Sequence, residues 1–199
     1  VATFALSSTM VASLDVNENR YATTTQVLGT VQVAGQIDQA DWTVSYGNAG
    51  WIRAASTSST WNLDVDGAVN RVDVPGDLGG TLSADTYGAV MVGGDMGADI
   101  TAVDADRRGV SLGVLQADTA SGWLDLDGGA RSIAVGQWTD GSIDAGWLGA
   151  VTIRPSGGSD ATGDFTIDVA LSSGTGSSAV AGPIASLTIA GDAGGEWQV

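Results

Sequence analysis

The chain has no cysteine and no histidine, and its seven basic residues are all arginines, at 20, 53, 71, 107, 108, 131 and 154. Without cysteine there is no disulfide framework and no thiolate nucleophile. Without histidine or lysine, the commonest general bases are missing. Three prolines in 199 residues exclude a Pro-rich linker. No run approaches the ~18 consecutive apolar residues of a membrane-spanning helix, so no membrane insertion is expected. The opening VATFALSSTMVASLDV lacks a basic n-region, so it does not read as a signal peptide. It also lacks an initiator Met, which is expected of a mature product or an excised fragment.

Acid and glycine are in excess. Net charge is −16, and the acids are all Asp except Glu18 and Glu196. Such a surface repels phosphate backbones, so nucleic-acid binding is not expected. Asp outnumbers Glu where turns are plentiful, because its short side chain bonds to nearby backbone. Thirty glycines are about twice the usual share, which points to many tight turns. With 43% hydrophobic and 15% charged residues the chain is built to pack.

The stretch from Arg71 to Asp106 shows how. RVDVPGDLGGTLSADTYGA is answered by VMVGGDMGADITAVDAD. Each half holds two short alternating segments separated by a Gly-Asp turn. The rest of the chain lies over this unit. First segments carry Val31/Val33, Ile52/Ala54, Val72/Val74, Val90/Val92, Leu112/Val114, Ile133/Val135, Val151/Ile153 and Leu187/Ile189. Their first members step by 21, 20, 18, 22, 21 and 18 residues, about 20 per repeat, and then by 36. The long last step is assigned to a Gly/Ser-rich insertion near 170–183. Second segments carry Trp42/Val44, Leu63/Val65, Leu82/Ala84, Ile100/Ala102, Leu124/Leu126, Ile143/Ala145, Ile167/Val169 and Trp197/Val199.

Inward residues two apart have the period of a β-strand. No 3.6-residue period is sustained, so an all-β chain is expected. Strands of three to five residues at this spacing leave no room for crossover helices. The physical solution is a parallel β-helix, or β-solenoid, of about 20 residues per coil, with coils ~4.8 Å apart and a rod near 40 Å long. A right-handed winding is expected. Residues 1–28 read as an irregular first coil or cap, and 29–199 as the solenoid. The corner glycines are expected to supply positive φ. The alternative fold is an antiparallel β-sandwich with strands every 10 or so residues.

RVDVPGDLGGTLSADTYGAVMVGGDMGADI and SLTIAGDAGG resemble the β-solenoid repeats of large secreted or cell-surface bacterial proteins, including adhesin-type passengers. The resemblance covers about residues 29–199. It implies an extracellular or cell-surface structural or adhesive role, and carries over no catalytic or binding residue.

Candidate chemistry is sparse. Asp64/Asp66, Asp104/Asp106 and Asp125/Asp127 form Asp-x-Asp pairs placed together at the end of the second strand. Oxygen-rich corners suit Ca²⁺, while plain solvated turn aspartates are the simpler account. GGDMGADI lacks the strict calcium nonapeptide spacing. Asp125 and Asp144 should be stacked neighbours, and Arg53 should sit beside Asp73. Trp42 and Trp197 read as core. Trp51, Trp61, Trp123, Trp138 and Trp147 fall at strand starts or corners, where they either cover the coils or stack on sugars; Trp123 and Trp147 are the glycan-binding candidates. The expected function is a rigid spacer or filament-forming surface module, not an enzyme. A glycan- or calcium-binding module is the alternative, and a carbohydrate-active enzyme domain the remote one. No cofactor is expected beyond a possible Ca²⁺. Expected partners are further coils of a larger chain, end-to-end copies, or surface glycans.

Overall fold

The computed structural model describes residues 2–17, 26–104, 106, 109–155, 161–172 and 183–199. Among these there is no helix. The strands in chain order are β1 (Ala2–Leu6), β2 (Leu14–Asn17), β3 (Gln26–Ile37), β4 (Asp41–Ser45), β5 (Asn48–Thr57), β6 (Asn62–Val74), β7 (Thr81–Val92) and β8 (Asp95–Met96). They continue as β9 (Asp99–Ala102), β10 (Val110–Ala120), β11 (Leu124–Trp138), β12 (Ser142–Ile153), β13 (Asp168–Leu171), β14 (Ile184–Ile189) and β15 (Trp197–Gln198). Every pairing between them is parallel and joins one coil to the next. The chain is therefore a β-solenoid.

The inward positions form four stacked columns. On the first face run Phe4, Val31, Ile52, Val72, Val90, Leu115, Ile133, Val151 and Leu187. On the second run Leu14, Trp42, Leu63, Leu82, Ile100, Leu124, Ile143, Val169 and Trp197. A third column, Leu28, Ala49, Val69, Tyr87, Leu112, Ala130, Leu148 and Ile184, closes the bend between them. A fourth fills the opposite corner with Met10, Ile37, Thr57, Leu78, Met96, Ala120, Trp138, Phe165 and Ala193. The interior levels of these columns are almost wholly buried, and they merge into one hydrophobic core. Thr57 is the polar member of its column, and its hydroxyl donates to the Gly79 carbonyl and accepts the Gly79 N–H, both at 2.8 Å.

The third column alters several sequence expectations. Strands of four or five residues occur, such as β2, β4, β9 and β13, but others are longer: β6 and β11 run from the second face around the bend onto the first. Bulges after Val65 and Leu126 let them bend. Leu112/Val114 is not a first-face pair. Leu112 belongs to the bend, opposite Tyr87 and Ala130, and Val114 faces outward. The first-face pair is Leu115/Ala117, because the connection after Ala102 adds residues. Likewise the second-face pair is Val169/Leu171, not Ile167/Val169.

Residues 2–17 extend the ladder, through β1 on β3 and β2 on β4. The rest of the first segment, 18–25, lies outside the described residues, as do 173–182 of the Gly/Ser-rich insertion. The 36-residue step also holds Phe165, which pairs with Trp138 on one side and with Ala193 on the other.

Most of the corner glycines answer a different need from the one expected. Of the corner glycines that the repeat marks, Gly76, Gly79, Gly80, Gly93, Gly94, Gly97, Gly128, Gly129, Gly191 and Gly194, Gly80 alone has positive φ, at +96°. Gly93 is required because a Cβ there would lie 2.1 Å from the Pro75 carbonyl oxygen of the neighbouring coil, and at Gly94 it would lie 2.2 Å from Asp77 Oδ1. The coils stack too closely for a side chain to pass between them.

Candidate functional site

The aspartates act mainly on the chain itself. Asp77 Oδ1 accepts the Asp95 N–H at 3.0 Å, Asp99 Oδ1 that of Trp123 at 3.2 Å, and Asp164 Oδ1 that of Asp192 at 2.7 Å. Asp168 Oδ1 accepts the Glu196 N–H at 2.8 Å, and Asp66 Oδ2 reaches the other way to the Tyr46 N–H at 3.0 Å. In each case a carboxylate on one coil satisfies a backbone donor on a neighbouring coil where the strand ladder is interrupted. A short acid fits this gap, which accounts for the preference for Asp over Glu. Asp164 is held below the ordinary carboxylate range, first by the Thr162 hydroxyl and then by the Asp192 N–H.

The three Asp-x-Asp pairs are not equivalent, and only two of them share the place expected from the repeat. Asp64 and Asp125 occupy one outward column, through Ser83 and Thr101, and Asp144 stacks next on Asp125. Their partners Asp66 and Asp127 fall in the bulges after Val65 and Leu126, where the ladder is out of register. Both are exposed there, Asp66 turned to the Tyr46 N–H and Asp127 open to solvent just ahead of the bend. The Asp64/Asp66 and Asp125/Asp127 pairs lie on coils separated by those of Leu82 and Ile100. At ~4.8 Å per step they are about 14 Å apart along the axis, too far to share one cation. The residues of the intervening coil that match Asp64 and Asp66 are Thr101 and Val103, so Asp104 and Asp106 lie beyond them in the connection. There Asp106 Oδ1 accepts the Val110 N–H at 3.0 Å. Among the described residues no three acidic side chains converge as a cation site.

Asp85 is an acid that the Asp-x-Asp pattern passes over. Its carboxyl is pushed above the ordinary range, first by burial and then by the charges of Asp104 and Asp66. The fold thus binds this proton more tightly than the unfolded chain does. The group's contribution to stability falls as pH rises from the ordinary carboxylate value through the raised one. Asp85→Asn is expected to raise Tm at pH 7 by about 1–2 °C, and the gain should vanish near pH 3. Paired thermal melts at the two pH values check this.

The glycan candidates are separated. Trp123 is 62% exposed and lies against Gly141. Trp147 is committed to the fold: its Nε1 donates to the Gly109 carbonyl at 3.0 Å, and its ring covers Gly129. They stand at opposite ends of the second face, because Leu124 pairs with Ile143 while Gly129 pairs with Trp147. They do not form one stacking platform. Trp61 and Trp138 are fully buried. Trp51 carries the guanidinium groups of Arg53 and Arg71 at 5.9 and 6.0 Å from its ring centre. Arg53 is beside Asp73 in register, but the ion pair is made by Arg71, at 3.4 Å.

Among the described residues there is a concavity that sequence reasoning missed. A groove of about 590 Å³ crosses several coils at the bend, lined by Asn48, Asn70, Thr86, Asp106 and Arg131 among others. Gly88 and Gly113 form part of it. They are glycines because a Cβ would lie 2.4 Å from the Asn70 carbonyl oxygen and 2.3 Å from that of Gly88. Successive coils approach too closely there for a side chain at either glycine. The lining comes from several coils, so no local motif signals the groove.

No protein-family model, no curated protein and no solved structure matches the chain. Among the described residues, no helix is long and apolar enough to cross a membrane.

Proposed function

We propose that the chain is a rigid β-solenoid rod serving as an extracellular or cell-surface spacer or adhesive module. The carrying observation is the unbroken stack of inward columns from Phe4 to Leu187. Such a stack resists bending, because every coil is buried only by its neighbours and any hinge would expose core. The aspartate bonds between coils add stiffness at the corners. The likeness of the repeats to bacterial surface solenoids supports the location. This reading assigns the chain no catalytic step.

The test uses the absence of native cysteine. Ala5 and Thr188 lie in one outward column, through Gln32, Arg53, Asp73, Met91, Gln116, Ala134 and Thr152. Their separation is therefore almost purely axial, eight steps of ~4.8 Å or about 38 Å. Dyes on Ala5→Cys and Thr188→Cys should give a narrow single-molecule transfer distribution near that distance. It should not change with millimolar Ca²⁺ or with soluble glycans. A broad distribution, or one that shifts on adding either ligand, sinks the spacer reading.

A second reading is a ligand-binding module. The polar groove around Asn70, Thr86 and Arg131 favours a glycan over a flat apolar ligand, since its rim offers amide, hydroxyl and guanidinium groups. Calcium on the Asp turns would belong to the same reading.

A further inference from the structure

The two long faces of the rod carry very different charge. The outward positions that pair across the second face hold seven acids, from Asp15 and Asp41 through Asp64, Asp99, Asp125 and Asp144 to Asp168, and no base. The first face presents two outward columns, the one from Ala5 to Thr188 and a neighbour from Thr30 to Ser186. Their charged members are Arg53, Arg71 and Asp73, two guanidinium groups against one carboxylate. Arg71 pairs with Asp73 at 3.4 Å, and both guanidinium groups lie over Trp51. A chain of net charge −16 therefore keeps one long face almost free of acid.

Bulk is uneven along the same face. The heavy side chains of Trp51, Arg53 and Arg71 lie on one side of the Met91 and Gln116 coils, and the small ones of Ser132, Ala134 and Ala150 on the other. We infer that this face docks a second copy of the chain, face to face and antiparallel. The two-fold axis runs along the strands, between the Met91 and Gln116 levels. It sets Trp51 opposite Ala150, Arg71 opposite Ser132 and Arg53 opposite Thr152, so each large side chain meets a small one. At the centre Ala89 meets Val114, which is 36% exposed in the single chain, and Met91 meets Gln116. The least polar levels therefore fall in the middle, where interfaces are most apolar. Asp73 meets Ala134, so no like charges are opposed.

The area is sufficient. The levels from Thr30 to Ser186 number eight. At ~4.8 Å per level and about five residues of ~3.3 Å across, the patch covers about 650 Å² on each copy. The pair would bury about 1,300 Å², within the range of specific interfaces. Sheets packed in this way lie about 10 Å apart with their strands aligned. The acid-bearing second faces then point outward on opposite sides of the pair, which keeps most of the charge apart. An isologous contact closes on itself, so association stops at two chains. Further coils at either end would lengthen both rods without covering this contact.

This goes beyond the spacer reading and is separable from it, because the dye distance is read within one chain at single-molecule dilution. Sedimentation and light scattering of the whole chain should show mass rising with concentration from 19.9 kDa to twice that and no further. High salt should favour the pair by screening the net charge. Val114→Asp places an unpaired charge at the centre and should weaken the dimer by about tenfold or more. Ser83→Asp adds the same charge on the second face and should leave the dimer intact. Ala134→Asp, opposite Asp73, should weaken it, while the isosteric Ala134→Asn should not. Circular dichroism checks that each variant keeps its strand spectrum. Spin labels on Thr188→Cys should read about 35 Å across the pair, set by seven axial steps of ~4.8 Å and the ~10 Å between faces. A parallel pair would bring them to about 10 Å. A wild-type chain that stays at 19.9 kDa throughout leaves the face to some other partner and overturns the proposal. So do growth beyond two chains, an equal loss in Ser83→Asp and Val114→Asp, or labels at the shorter distance.

Discussion

Replacing Trp61 by alanine is expected to lower stability by about 3–5 kcal/mol, which for a chain of this size is roughly 10 °C in Tm. Trp61 is fully buried and meets Trp42 edge to face, ring centres 5.6 Å apart at 84°. It lies just ahead of the second face, where Ala40 precedes it and Gly80 follows in the stack. A small residue on either side makes room for one indole, and neither Ala40 nor Gly80 can fill the space if it is removed. Its Nε1–H has no hydrogen-bond partner. That makes the phenylalanine variant the informative control. Trp61→Phe keeps an aromatic against Trp42 and removes a buried unpaired donor, which itself costs about 1–3 kcal/mol. Its stability should stay within about 1.5 kcal/mol of the parent. Urea unfolding followed by far-UV circular dichroism measures both. A loss under 1 kcal/mol for the alanine variant would mean that this level of the core is not packed as described.

What the sequence made legible, and what it hid, has one geometric cause. Val72/Val74 above Val90/Val92, and Leu63/Val65 above Leu82/Ala84, sit on straight stretches where side chains alternate strictly, so period two exposed both faces. At the bend the alternation breaks. Val69, Tyr87 and Leu112 each stand three residues ahead of Val72, Val90 and Leu115, out of phase with the first face, while bulges after Val65 and Leu126 add residues with no ladder partner. The third column is invisible to period two for that reason, and Leu112, which alternation assigns to the first face, belongs to the bend. The groove is hidden more deeply, because its lining is drawn from several coils at the bend and has no local pattern. The aspartates were legible as turn residues. Their bonds to the next coil were not, because each joins residues 18 to 28 apart with no fixed spacing.

Gly80→Ala is expected to cost about 2–5 kcal/mol. Two costs combine. Gly80 has φ +96°, a conformation that costs an L-residue about 1–2 kcal/mol or more. Its Cβ would also stand 1.9 Å from the Trp61 carbonyl oxygen, the same oxygen that accepts the Thr81 N–H at 2.9 Å. Relieving the overlap means lifting one coil off the next and stretching that bond, a strain of about 1–3 kcal/mol. The damage should spread to the second face, where Leu63–Leu82 and Leu82–Ile100 depend on the same spacing. Gly97 supplies the contrast. Its φ is not positive, and the nearest atom to a Cβ there is the tip of the Asp95 side chain at 3.3 Å. Gly97→Ala should therefore be neutral or stabilise by up to about 1 kcal/mol through the unfolded chain. Urea midpoints for the pair separate close coil stacking from a general dislike of alanine in turns. Equal losses in both would show that backbone freedom, and not the approach of one coil to the next, is what these glycines provide.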